Sequence, residues 1–141
     1  MPVYTDAIEL KSRAHAGATV RWWDNNNDVG GSYSWPASTL GVLVGPYTCP
    51  TPALAIVRYV YLRLPLTTNL NQMEMLLQYQ PVGGSWYDIA GLASRNDIAQ
   101  YLNLQLNFPL AAGDQVRIYV SSTDTVARPV RYAWMIEEVM L

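Results

Sequence analysis

Apolar and polar residues alternate strictly from Tyr101 to Ser122. Leu102, Leu104, Leu106 and Phe108 fall on one parity, and Tyr101, Asn103, Gln105 and Asn107 on the other. Beyond Gly113-Asp114, Val116, Ile118 and Val120 alternate with Gln115, Arg117 and Tyr119. A period of two marks a strand with one buried and one polar face, the habit of antiparallel sheets. Pro109 has no N–H to give a ladder and is expected to close the first strand. Gly113-Asp114 is then expected to turn the chain into the second, making a hairpin.

The same reading extends along the chain. Leu54 to Leu66 is rich in β-branched and aromatic residues and apolar on both parities, Arg58 and Arg63 excepted, as in a central strand covered on both sides. Met73, Met75, Leu77 and Tyr79 alternate with Glu74, Gln78 and Gln80, and Pro81 to Ser85 supplies a glycine turn. Ser85–Ala93 predicts a short strand, Ser94–Gln100 a polar loop, and Val130–Leu141 a last strand. The third before Ala53 is broken by turn clusters at Asp24–Asp28, Val29–Ser32, Trp35-Pro36 and Gly45–Pro52, whose Pro46, Pro50 and Pro52 exclude a helix. Residues 1–20 are weakly patterned and read as an arm or edge strand. Residues 21–141 read as one domain. Strands every ten or so residues without an amphipathic helix predict an all-β antiparallel β-sandwich, jelly-roll-like, with a loop-rich N-terminal arm.

Composition adds a surface. The 141 residues can bury a substantial core, hiding roughly 68–70% of the unfolded surface. Half are apolar and only 14% are charged, against a usual figure of about 25%. Surface so poor in charge is expected to be covered by other subunits. One lysine, Lys11, stands against eight arginines, a bias of protein–protein contacts that high-GC codon usage also produces. A net charge of −2 without an arginine stripe argues against nucleic acid as a partner. No apolar run has the roughly 20 residues a bilayer crossing needs, and MPVYTDAIELKSR lacks the features of a secretion signal. The expected site of synthesis is a host cytoplasm, with no membrane partner.

The order Leu110-x-x-Gly113-Asp114-x-Val116, followed by a strand, a polar loop and an aromatic-bearing last strand, resembles the trimeric jelly rolls. These are the complement-type globular heads, the tumour-necrosis-factor-like domains and similar modules on phage virions. The resemblance covers Leu54 to Leu141. It implies a compact trimer whose inner strands pack about a threefold axis, and no particular ligand. The sequence departs from those heads in carrying Trp134, then Glu137 and Glu138, where they place a Phe-Ser-Gly-Phe element.

Reactive chemistry is sparse. His15 is the only histidine and has no cysteine or carboxylate cluster beside it, so a zinc site or a Ser-His-Asp relay lacks its parts. Cys49, the only cysteine, reads as a small apolar filler among prolines. Asp24, Asn26 and Asp28 have the one-three-five spacing of a calcium loop, but glycine falls at the seventh place and Trp35 at the twelfth, where the loop needs glutamate; an Asx-rich turn accounts for them. Asp88, Asp97, Asp114 and Asp124 could furnish acid pairs only across a cleft, and Glu137 and Glu138 face opposite sides of a strand. No catalytic, cofactor or metal residue is assigned.

What remains is contact. The interface candidates are Trp22, Trp23, Trp35, Tyr101, Asn103, Gln105, Arg117 and Tyr119: aromatic anchors, with the polar but nearly uncharged side of the 101–122 stretch. The expected function is that of a virion structural protein, a bacteriophage capsid cement or decoration protein. Its expected partners are further copies in a homotrimer and the major capsid protein or another virion protein. The alternative is a carbohydrate- or receptor-binding module, such as a tail-fibre tip or an enzyme appendage, in which the outward member of the Trp22-Trp23 pair stacks on glycan.

Overall fold

The computed structural model describes residues 33–140 in full and residues 19–25 through their backbone. Nine strands account for the regular structure among them: β1 (Thr19–Asn25), β2 (Tyr33–Trp35), β3 (Leu40–Thr48), β4 (Ala53–Leu64), β5 (Met73–Gln80), β6 (Tyr87–Ala93), β7 (Gln100–Leu110), β8 (Gln115–Ser122) and β9 (Arg128–Met140). One sheet runs β1-β9-β4-β7, with the short β2 pairing the start of β9; the other runs β3-β8-β5-β6. All pairs are antiparallel.

The pairing is nested. β1 pairs β9, β3 pairs β8, β4 pairs β7 and β5 pairs β6, as if one long ribbon were folded at β5–β6 and then rolled. Rolling sends alternate ribbon pairs into different sheets and adds the contacts β9–β4 and β8–β5. That is a jelly roll, and it leaves both sheets one inner face on which to bury apolar side chains.

The core lies between those faces. β4 contributes Ala55, Val57, Val60, Leu62 and Leu64, β9 contributes Val130, Trp134 and Ile136, and the facing sheet gives Met73, Met75, Leu77, Val116, Ile118 and Val120. The alternations in β5 and β8 are as expected. The predicted 101–122 hairpin is not. β7 pairs β4 and β8 pairs β3 and β5, so the Gly113-Asp114 connection crosses from one sheet to the other. Each still turns one parity toward the same core from opposite walls, β8 burying it fully and β7 in part, with Leu104 left exposed.

Prolines are placed differently from expectation as well. Pro109 does not end its strand, since β7 runs on to Leu110 with Pro109 opposite Ile56. Pro46 lies inside β3, where two register shifts interrupt the ladder, and not in a turn. Both strands are sheet edges, where a missing N–H breaks no ladder bond.

One irregularity matters for the surface. Between buried Val57 and buried Val60 lie two residues, Arg58 and Tyr59, and the register with both β7 and β9 shifts there. The bulge changes the parity of β4: odd positions 55 and 57 face inward before it, even positions 60, 62 and 64 after it. This accounts for the two-sided apolar look of residues 54–66. Residues 1–18, nearly all of the predicted arm, lie outside the described residues.

Candidate functional site

The outer face of the five-stranded sheet is the candidate site. Cross-strand register sorts it into rows. Tyr101, Arg63 and Arg131 form one, Asn103, Tyr61 and Ala133 the next, Gln105, Tyr59 and Met135 a third, and Pro109, Ile56 and Glu137 a fourth, with Leu54 and Val139 beyond. Residues directly opposite in a sheet point to the same side, so these side chains share one surface. Tyr101 is 72% exposed and Leu54 48%. Strands polar on one side need one cover; β4 and β9 are largely apolar on both, with no layer of the described chain above this side.

The bulge shapes the middle of the face. Arg58 and Tyr59 emerge together, and a groove of about 740 Å³ opens among Arg58, Tyr59, Gln105, Leu106, Asn107, Met135 and Glu137. Arg58 donates to Glu137 at 3.0 Å and to the Asn107 amide oxygen at 2.6 Å. The ion pair leaves the groove close to neutral. Glu138, the next residue, points into the sandwich, is 1% exposed, and accepts the Tyr47 hydroxyl. The two glutamates lie on opposite faces as expected, so they make no acid–base dyad.

Of the sequence-predicted contact residues, the fold brings Tyr101, Asn103 and Gln105 onto this face. It separates Arg117 and Tyr119 from them, because β8 belongs to the other sheet. There the Arg117 guanidinium stacks on Trp86, 3.9 Å from the ring centre, with Tyr119 at 5.1 Å, while its Nε donates to Gln78. One ring face of Trp86 is thus already covered. Trp35 is a correction: at 6% exposure it belongs to the core, its Nε1 donating to the Thr39 carbonyl, and it offers no surface to a partner. Trp22 and Trp23 lie in β1, backbone partners of Ile136 and Met135, and their side chains are outside the described residues. Asp24 pairs with Trp134 in the same ladder, whereas Asn26, Asp28 and His15 lie outside them.

Sequence reasoning missed Tyr59, Tyr61, Met135 and the Arg58–Glu137 pair. The available signal was the apolar character of both parities in residues 54–66.

The acidic residues considered for catalysis have structural partners. Asp97 pairs with Arg95, and Asp88 accepts the Gln78 amide. Asp114 and Asp124 accept backbone N–H groups of turns. Cys49 is buried with its Sγ 3.6–3.7 Å from the carbonyl oxygens of Pro50, Ala53 and Leu110. Burial first, then the charges of Glu138 and Asp114, push its thiol from 9.0 up to about 11. A shift of that size cuts the thiolate at neutral pH about a hundredfold. Iodoacetamide is therefore expected to modify Cys49 at least about a hundredfold more slowly in the native protein than in urea. Equal rates would show an accessible, reactive thiol. Because the folded value lies above the ordinary one, the neutral thiol's contribution to stability is whole below pH 9.0 and is lost as pH rises through about 11.

No family model matches the chain, and no curated protein matches it. Among solved structures, it is similar to a chain of the disulfide-linked pili of Bacillus endospore appendages, at 10% identity over 87% of this chain and 89% of that one, TM-score 0.47. It is also similar to a chain of infectious bursal disease virus, Gx strain, at 8% identity over 86% of this chain and 32% of that one, TM-score 0.42. A third is the CBM22-1 xylan-binding domain of Paenibacillus barcinonensis Xyn10C, at 13% identity over 84% and 86%, TM-score 0.34. Likenesses this distant decide nothing about function.

Proposed function

We propose that this chain is a non-catalytic structural subunit of a bacteriophage virion, a jelly-roll cement or decoration protein, that assembles as a homotrimer and seats on the capsid shell. The observation that carries the reading is the outer face of β4 and β9. Leu54, Ile56, Tyr59, Tyr61, Ala133, Met135 and Val139 give it the apolar content of a covered surface, and the Arg58–Glu137 ion pair on it neutralises itself. Tyr101, Asn103 and Gln105 extend it along β7 with polar, uncharged side chains suited to a rim.

The test places charge on that face without touching the core. Asn103→Glu with Gln105→Glu changes two exposed residues on one side of β7. Light scattering is expected to show a trimer for the parent chain and a monomer for the variant, which keeps the parent's far-ultraviolet circular dichroism. Binding of the parent to assembled capsid shells, lost in the variant, is the functional readout. A parent chain that stays monomeric and ignores shells would defeat the proposal. The groove over Arg58 and Glu137, neutral and walled by Tyr59, Gln105 and Asn107, favours a second reading, a carbohydrate-binding module. Saturable heat on titration with a soluble polysaccharide would establish that reading instead.

A further inference from the structure

At one end of the same face two arginines stand opposite each other. Arg63 of β4 and Arg131 of β9 are direct cross-strand partners, between buried Leu62 and Leu64 on one strand and Val130 and Tyr132 on the other. Both point outward and both line a pocket of about 300 Å³ with Pro65, Leu66, Ala99 and Pro129. Among the described residues neither has an ion-pair partner; the ion pairs there are made by Arg58, Arg95 and Arg128. Like charges directly opposite in a sheet destabilise it, so this pair works against the fold. Local choices that oppose the fold mark functional positions.

We infer that this pocket binds a single carboxylate carried on an apolar group. Two guanidinium forks side by side present paired N–H donors to one planar oxyanion, which also cancels their repulsion. The remaining walls are two prolines, a leucine and an alanine, which favour an apolar substituent over the hydrated surroundings of a phosphate. Among the described residues no third arginine joins them in the pocket, so a polyanion gains nothing there beyond the first charge. The carboxylate could come from a free small molecule or from an acidic side chain on a neighbouring subunit; the chemistry is the same. The site needs no assembly to exist.

The experiment uses the full chain, with isovalerate as probe and with isovaleramide, inorganic phosphate and ionic-strength-matched chloride as controls. Arginine Nε–H resonances are followed by NMR. Saturable shifts confined to Arg63 and Arg131, with isovalerate bound at least tenfold more tightly than phosphate or the amide, are expected. Arg131→Gln and Arg63→Gln are each expected to weaken binding at least tenfold while leaving the low-salt melting temperature unchanged or raised. Equal binding by the parent and Arg131→Gln, a preference for phosphate, or a response matched by chloride would overturn the site. So would loss of stability in both variants, which would make the arginines structural. Light scattering then separates the two sources. If isovalerate dissociates the oligomer, the carboxylate is a neighbour's; if binding leaves it intact, the ligand is a free acid. Either result supports the site, and a failed trimer leaves it standing.

Discussion

Replacing Asp114 by alanine is expected to destabilise the fold by about 3 kcal/mol, lowering the urea midpoint by about 1.5 M. Its carboxylate accepts the N–H of Ala111 at 3.0 Å, the N–H of Val82 at 3.1 Å and the hydroxyl of Tyr79 at 3.1 Å. Its main chain adds a third loop: Cys49 donates to the Asp114 carbonyl at 2.9 Å, and Gly113 donates to that of Cys49 at 2.8 Å. One residue therefore ties the β3–β4, β5–β6 and β7–β8 connections at one end of the sandwich. Bonds to a charged acceptor contribute about 1.5–3 kcal/mol each, and water can recover part of that at the exposed Val82 turn. Tyr79→Phe removes one bond only and should cost about 1 kcal/mol. Burial, then the bond to Asp114 and its charge, hold the Tyr79 phenol above its ordinary value, so in Asp114→Ala its ultraviolet titration should move downward. A loss below about 1 kcal/mol would show that the three loops hold without it.

The second large effect concerns Asp124, which is fully buried within the β8–β9 connection. Oδ2 accepts Arg128 Nε at 2.8 Å and Oδ1 accepts the Val126 N–H at 3.0 Å. Arg128 also reaches the Thr68 hydroxyl at 3.1 Å, and the Ser38 N–H donates to the Asp124 carbonyl at 2.9 Å. Burial alone would raise this carboxyl. The hydrogen bonds from Arg128, Val126 and the Thr68 backbone, with the Arg128 charge, outweigh burial and hold it below its ordinary value of 3.8. Asp124→Asn is expected to cost about 3 kcal/mol at neutral pH, near the lower end for breaking a buried pair because Arg128 keeps some exposure. A depressed folded value means this stability is whole above pH 3.8 and is lost as pH falls through that lower value. The gap between parent and variant should therefore narrow only below pH 3.8. Parallel stability curves down to pH 2 would contradict the assignment.

Asp114 clarifies the motif that prompted the family resemblance. Leu110 and Val116 are fully buried, Gly113 adopts φ +87°, and a Cβ there would come within 2.6 Å of Val82 Cγ2. Leu110-x-x-Gly113-Asp114-x-Val116 is thus a device for crossing between sheets and closing the sandwich end. It speaks to the roll, and leaves partners to be argued from the outer faces.

The alternation by itself determined a good deal. Period two in β5, β7 and β8 identified strands and their buried parity, because a strand's side chains alternate whatever its neighbours are. Sparse charge raised only the expectation of a covered face, whereas the adjacent glutamates were separable by parity alone. Three things belonged to the tertiary structure. Alternation says which side of a strand is buried but not which strand lies beside it, so 101–122 looked like a hairpin while its halves serve opposite walls. Trp35 shows the same limit for a single residue, since burial depends on what packs over it. Above all, the bulge at Arg58 and Tyr59 breaks the parity on which sequence reading depends. It sets Arg58 against Glu137, places Tyr61 and Arg63 on the outer face, and brings Arg63 opposite Arg131. Register is a property of two strands at once, and only their pairing could make it visible.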